Sequence, residues 1–123
     1  MPTVSDVPPS RRDWSEGPLP TQIFLILLAL ADGDAHGARI RKAVLERSEG
    51  AVEIDPGSLY RLIARLVDAA LILETDGPAS DDDQRPRYYR LSAGGRRTLQ
   101  NETERLARLV AEARARTRCR VRT

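Results

Sequence analysis

Aromatic side chains are scarce in this chain of 123 residues, which holds one Phe, one Trp and three Tyr. A hydrophobic core must therefore be assembled from Leu, Ile, Val and Ala. Cysteine is nearly absent too, and the single Cys119 excludes an internal disulfide or a cysteine-built zinc cluster within one chain. One histidine, His36, leaves little for metal or acid–base chemistry. Long apolar runs are missing. The longest, Ile23 to Ala31, is about half a membrane span, and Met1 is followed by Pro, Ser and acids rather than an apolar signal core. The expectation is a cytoplasmic protein with no membrane partner, no cofactor and no enzymatic activity.

Charge is plentiful but unevenly placed. Residues 1–84 carry eight Arg or Lys against fifteen Asp or Glu, whereas residues 85–123 carry twelve Arg against three Glu. The net formal charge is only +2, so the total argues little, but a basic segment beside an acidic one points to a local polyanion site.

Pro2, Pro8, Pro9 and Gly17 mark residues 1–17 as a flexible arm, with Trp14 as its docking residue. A first helix is predicted from Pro18 to Ala31, with Pro20 in its first turn; it is apolar nearly all round and stopped by Asp32-Gly33-Asp34. A second starts at Ala35 or His36, with Ile40, Val44 and Leu45 on one face and Gly50 as its left-handed stop. His36 reads as a helix-start residue tying down the turn. Val52-Glu53-Ile54 reads as a very short strand. Asp55 then caps a third helix, with Pro56 at its first position, running to about Ala70 along the stripe Leu59, Ile63, Leu66, Val67 and Ala70. Leu71–Thr75 and Arg87–Leu91 are strands of a hairpin with a polar tip. Ser92 caps a last helix from Ala93 to about Arg118, whose seam of Leu99, Leu106, Leu109, Val110 and Ala113 has near-heptad spacing. That stripe either folds back on the first helix or meets a partner helix; a homodimer is the favoured outcome.

This order gives an α+β class, mainly α with a small β-hairpin: a winged helix-turn-helix over residues 18–92, a dimerisation helix over 93–118 and a basic tail over 119–123. Such a domain places its second motif helix, here the third of the chain, in the major groove. Ser58, Tyr60 and Arg61 lie at its leading end and Arg65 a turn later. Tyr60 either packs inside or gives its hydroxyl to a phosphate. Arg85, Arg87 and Arg90 flank the hairpin, where guanidinium groups hold phosphate or enter the minor groove. Asp81, Asp82 and Asp83 at its tip would repel DNA, and adjacent loop carboxylates make a poor cation site.

Motifs in order carry a resemblance: His36-Gly37, then Asp55-Pro56-Gly57-Ser58-Leu59-Tyr60, then Leu66, then Tyr88-Tyr89-Arg90-Leu91-Ser92-Ala93-Gly94-Gly95-Arg96. Across roughly residues 19–115 the chain resembles the PadR-like transcriptional regulators. It departs from them at Ala38, where an aromatic is common, and in its acidic wing tip. The resemblance implies a homodimeric repressor on a double-stranded DNA operator, of the kind that controls detoxification or efflux genes. It also implies relief by a small aromatic or cationic effector near the dimer interface, for which Trp14, Ile23 and Phe24 are candidate lining residues. The alternative is a dimeric winged-helix module that binds another protein; the acidic first two-thirds favours it, whereas Arg61, Arg65 and the wing arginines favour DNA.

Overall fold

A computed structural model describes Trp14, residues 17–77 and residues 86–121, with side chains to Arg118. The sequence-derived sites Arg85, Asp81 to Asp83 and the Cys119 side chain lie outside the described residues.

Helix α1 (Thr21–Ala31) presents an apolar side chain in every direction, and Ile23, Leu25, Ile26, Leu27, Ala29 and Leu30 are all buried. Pro20 stands at its N-cap rather than inside the first turn, because its carbonyl already accepts from the Phe24 N–H at 3.0 Å. Helix α2 (Gly37–Arg47) covers one side of α1 with Ile40 and Val44. Helix α3 (Pro56–Asp68) buries Leu59, Ile63 and Leu66, while Val67 and Ala70, assigned to the same stripe from spacing, stay exposed. Strands β2 (Ile72–Thr75) and β3 (Tyr88–Leu91) form the antiparallel hairpin, in a register that faces buried Ile72 with buried Leu91 and exposed Leu73 with exposed Arg90.

A third strand lies elsewhere than the sequence suggests. Val52–Ile54 is not a strand; its backbone is satisfied by side chains, with Ser48 Oγ accepting from the Val52 N–H at 2.9 Å and Arg41 Nε donating to the Ile54 carbonyl at 2.9 Å. Instead β1 (Ala35–His36) pairs with β3, giving the order β1-β3-β2. Two residues are too few to show an alternating pattern, so only the partner strand reveals them.

Both motif helices end with the paired bonds of a Schellman turn. Gly50 N–H reaches the Leu45 carbonyl and Glu49 N–H that of Glu46; Leu71 N–H reaches the Leu66 carbonyl and Ala70 N–H that of Val67. The left-handed positions are held by Glu49 (φ 54°) and Ala70 (φ 61°), with Gly50 following at φ 84°. Gly50 therefore sits one residue past the position expected of it.

Helix α4 (Ala93–Val121) runs past the expected end at Arg118. Its start is clamped to the end of α3: Ser92 N–H donates to the Leu71 carbonyl at 3.0 Å, and Ser92 Oγ donates to the Ala70 carbonyl at 2.7 Å while accepting from Gly95 N–H at 2.9 Å. At Gly95 a Cβ would stand 2.0 Å from the Leu71 carbonyl oxygen, so the helix can approach this closely only with glycine there. The first turns then cross α1, and Thr98, Leu99 and Glu102 are buried. Glu102 binds the chain entering α1, accepting from Leu19 N–H at 2.9 Å and from Arg105 through two bonds of 2.7 Å. The Arg105 bonds hold its carboxyl below the usual glutamate range, against the opposing cost of burial.

Two predictions follow from these contacts. Gly95→Ala lowers stability to urea by about 2 kcal/mol, because a backbone carbonyl has no room to give. Gly94→Ala, whose Cβ would meet nothing nearer than 3.8 Å, raises it by about 0.5 kcal/mol through lower unfolded-state freedom; equal effects at the two sites would refute the close-approach argument. Because the folded-state pKa of Glu102 lies below its unfolded value, its contribution is complete above the ordinary glutamate pKa of about 4.3 and is lost as pH falls from there through the folded-state pKa. Glu102→Gln accordingly makes stability less dependent on pH below the ordinary glutamate range in urea titrations, while Asp34 and Asp55, whose carboxyls are also depressed, keep part of the slope.

Candidate nucleic-acid interface

The exposed end of α3 is built by its cap. Asp55 Oδ2 accepts from Ser58 N–H at 3.0 Å and Oδ1 from the Ser58 hydroxyl at 2.7 Å, and these bonds depress the Asp55 carboxyl. The Ser58 oxygen in turn accepts from Arg61 Nη2 at 3.0 Å. Asp55, Ser58 and Arg61 thus form one exposed polar chain across the first turn. Tyr60, next to them, does not pack inside: it is 54% exposed, and its ring lies against Gly37, where a Cβ would stand 2.9 Å from the hydroxyl.

From Gly37 a line of contacts leads to the hairpin. His36 caps α2 by accepting Arg39 N–H on Nδ1 at 3.2 Å, as its helix-start role requires. Its ring stands edge-on to Tyr88 with centroids 5.4 Å apart. Tyr88 in turn lies on Gly77, where a Cβ would stand 2.2 Å from the ring. His-Gly, Gly-x-x-Tyr and Tyr-Tyr, separate in sequence, therefore meet along one path between α3 and the hairpin.

The arginines divide into two groups. Arg61 and Arg87 are exposed, and Arg87 lies beside the Tyr89 hydroxyl and forms a 3.6 Å ion pair with Glu74 on the neighbouring strand. Exposed pairs of that length contribute little, so its guanidinium is available. Arg90, grouped with it from the sequence, is committed elsewhere: Nε and Nη2 bind the Asp34 carboxylate at 3.1 and 2.9 Å, fixing β3 to the turn after α1. Arg65 is half-buried, with its guanidinium 4.8 Å from the centroid of the Trp14 ring, so it holds Trp14. Neither partner was visible from spacing, because Asp34 and Trp14 are distant in sequence.

The seam residues divide as well. Leu99 belongs to the core of its own chain, because the first turns of α4 lie on α1. Leu106 is half-buried, whereas Leu109 and Val110 are 53% and 46% exposed and Ala113 is exposed. Of the candidate effector-lining residues, Trp14 and Ile23 are core and Phe24 is half-buried beside it. A cleft of about 560 Å³ lies between the α1–β1 turn and α2, lined by Asp32, Asp34, Arg39, Lys42, Glu46 and Arg47 and by none of those three. Among the described residues no group of three or more His, Cys, Asp or Glu is placed to hold a metal, and no helix is long and apolar enough to cross a membrane.

Similarity to known proteins agrees with this architecture. An uncharacterized 37.1 kDa protein in transposon TN4556 of Streptomyces fradiae is 40% identical over 88 residues, covering 70% of this chain. The chain spans 23% of that relative's length. A PadR family transcription regulator from Clostridium difficile superposes with a TM-score of 0.65 at 20% identity, covering 80% of this chain and 98% of that one. The Bacillus subtilis PadR in complex with operator DNA superposes at 0.59 with 18% identity, covering 67% of this chain and 46% of that one. Those two likenesses establish the winged-helix fold. Residues 26–101 match the transcriptional regulator PadR-like family, and with its motifs joined along the path from α3 to the hairpin, the chain belongs to that family.

Proposed function

We propose that this protein is a sequence-specific DNA-binding transcriptional regulator that acts as a homodimeric repressor. The observation that carries the reading is the exposed leading turn of α3. It presents Tyr60 and Arg61 outward, and it is joined through Gly37, His36 and Tyr88 to a hairpin bearing the exposed Arg87. A helix of this kind fits the major groove, and the hairpin arginine reaches the flanking backbone. The operator DNA bound by the Bacillus subtilis relative supports the same mode.

Dimerisation belongs to the distal half of α4. Beyond the part that covers α1, Leu109, Val110 and Ala113 remain exposed with Leu106 half-buried, a stripe suited to the same helix of a second copy. Two α3 helices would then read a site of two half-sites. Relief by a small aromatic or cationic effector follows from the family resemblance. Phe24 is the one candidate lining residue with surface to offer it.

Fluorescence anisotropy against the protein's own promoter fragment, with unrelated competitor DNA and a salt series, tests the reading. Saturable binding that survives competitor is expected. Arg61→Ala weakens it about tenfold or more, and Arg87→Ala weakens it less while reducing the salt slope by about one. Equal weak binding to both DNAs, lost in modest salt, would instead favour the protein-interaction module.

The two ends of the seam respond differently, the distal end in sedimentation velocity and the proximal end in urea unfolding. Leu109→Glu gives folded monomers, because the charge lies outside the domain core. Leu99→Ala lowers domain stability by about 2–5 kcal/mol through a core cavity. A Leu109→Glu chain that remains a dimer places the interface elsewhere.

A further inference from the structure

Arg61 is an exposed arginine that is nonetheless held in place. Free surface arginines sample many rotamers, and ordering one on DNA carries an entropic cost. Here the guanidinium is caught before any DNA arrives. Nη2 donates to Ser58 Oγ at 3.0 Å, and Nη1 lies 3.9 Å from where a Cβ on Gly57 would stand. The side chain is thus folded back across the first turn of α3. A Cβ at Gly57 would touch both this group and the Asp55 carboxylate, whose Oδ2 is 3.4 Å from the same point, at ordinary contact distance.

The state of the Ser58 hydroxyl gives this contact a direction. A serine hydroxyl carries one hydrogen, and at 2.7 Å from Asp55 Oδ1 that hydrogen is already donated. The oxygen's remaining capacity is to accept, and what it accepts from is Arg61. In this arrangement Ser58 has no hydrogen left for a phosphate or a base edge, the role its position suggested. Asp55 serves two ends at once: it satisfies Ser58 N–H as the helix cap and orients the hydroxyl that grips Arg61.

We propose that Ser58 is a positioning residue: oriented by Asp55, it pre-sets the Arg61 guanidinium at the leading edge of α3, so that Arg61 selects a guanine while Ser58 itself touches no DNA. The remaining guanidinium N–H groups stay available for the paired O6 and N7 acceptors that guanine alone presents in the major groove. This rests on the DNA-binding reading above. It separates two quantities that direct contact would merge. Loss of the Ser58 hydroxyl costs discrimination at one base pair of each half-site, whereas general attraction to phosphate depends on charge and is retained.

The test starts by selecting duplexes from a random-sequence library with the wild-type protein. Affinities are then measured for the best duplex, all its single-base-pair variants and an unrelated duplex. Ser58→Ala is expected to reduce the preference for G·C at one position per half-site about tenfold, with affinity for the unrelated duplex changed by less than about twofold. Asp55 still caps the helix in this variant, so its thermal unfolding stays near that of the wild type. Ser58→Thr keeps the hydroxyl and restores the preference. In an Arg61→Ala background Ser58→Ala has no further effect, because it acts through that side chain. An unchanged preference in Ser58→Ala overturns the proposal, and so does an equal loss with and without Arg61, which would mean that the hydroxyl meets DNA directly. Failure of the wild type to enrich any duplex is a separate result, and it removes the DNA-binding reading itself.

Discussion

A helix that is apolar round most of its circumference cannot lie on a surface, and α1 is such a helix. Its buried residues span more than half of its circumference, with Phe24, Leu28 and Ala31 partly buried on the remaining arc, so the rest of the chain is arranged as its enclosure. Helix α2 covers one side, strand β3 another, and the first turns of α4 a third. Each of those elements is too short or too polar to hold a core of its own. Fully burying an aliphatic side chain contributes about 1.5–3 kcal/mol before entropy is counted, so the many side chains around α1 supply most of the drive for folding. The requirement also divides α4, which must lend Leu99 to the enclosure before its later turns are free for anything else.

Polar groups then fix what the hydrophobic enclosure leaves loose. Glu102 binds the entry to α1 with one oxygen and Arg105 with both. Ser92 fastens the start of α4 to the end of α3. Arg90 and Asp34 tie the hairpin to the turn after α1. These contacts join elements that are distant in sequence, and they leave the leading turn of α3 exposed on a fixed base. A rigid base matters for a reader of DNA, because a side chain ordered beforehand loses less freedom on binding. In the same way the small residues Gly37 and Gly77 let Tyr60 and Tyr88 lie close against backbone, which links α3 to the hairpin through small residues.

Most of the helical architecture was legible in the residues. Asp55-Pro56 announces the start of α3, and the stripe Leu59, Ile63, Leu66 its buried face. The hairpin strands differ from expectation by a residue at one end. What was not legible is instructive. Strand β1 has two residues and no pattern of its own. Glu49 and Ala70 hold left-handed positions that composition would give to glycine. The candidate site was readable as a set of residue types but not as a set of contacts, since Arg61, Arg65, Arg87 and Arg90 look alike until Ser58, Trp14, Glu74 and Asp34 appear beside them.

The sequence by itself determined the class of fold, the starts of α3 and α4, most of the apolar faces and the family motifs, because caps and periodicity are local and are written within a few residues of where they act. Tertiary structure alone decided which charges are spent. Pairing Arg90 with Asp34, laying Arg65 on Trp14 and burying Leu99 under α1 all join residues far apart in the chain. No local pattern records such a meeting, because it exists only once the core has brought the two sides together.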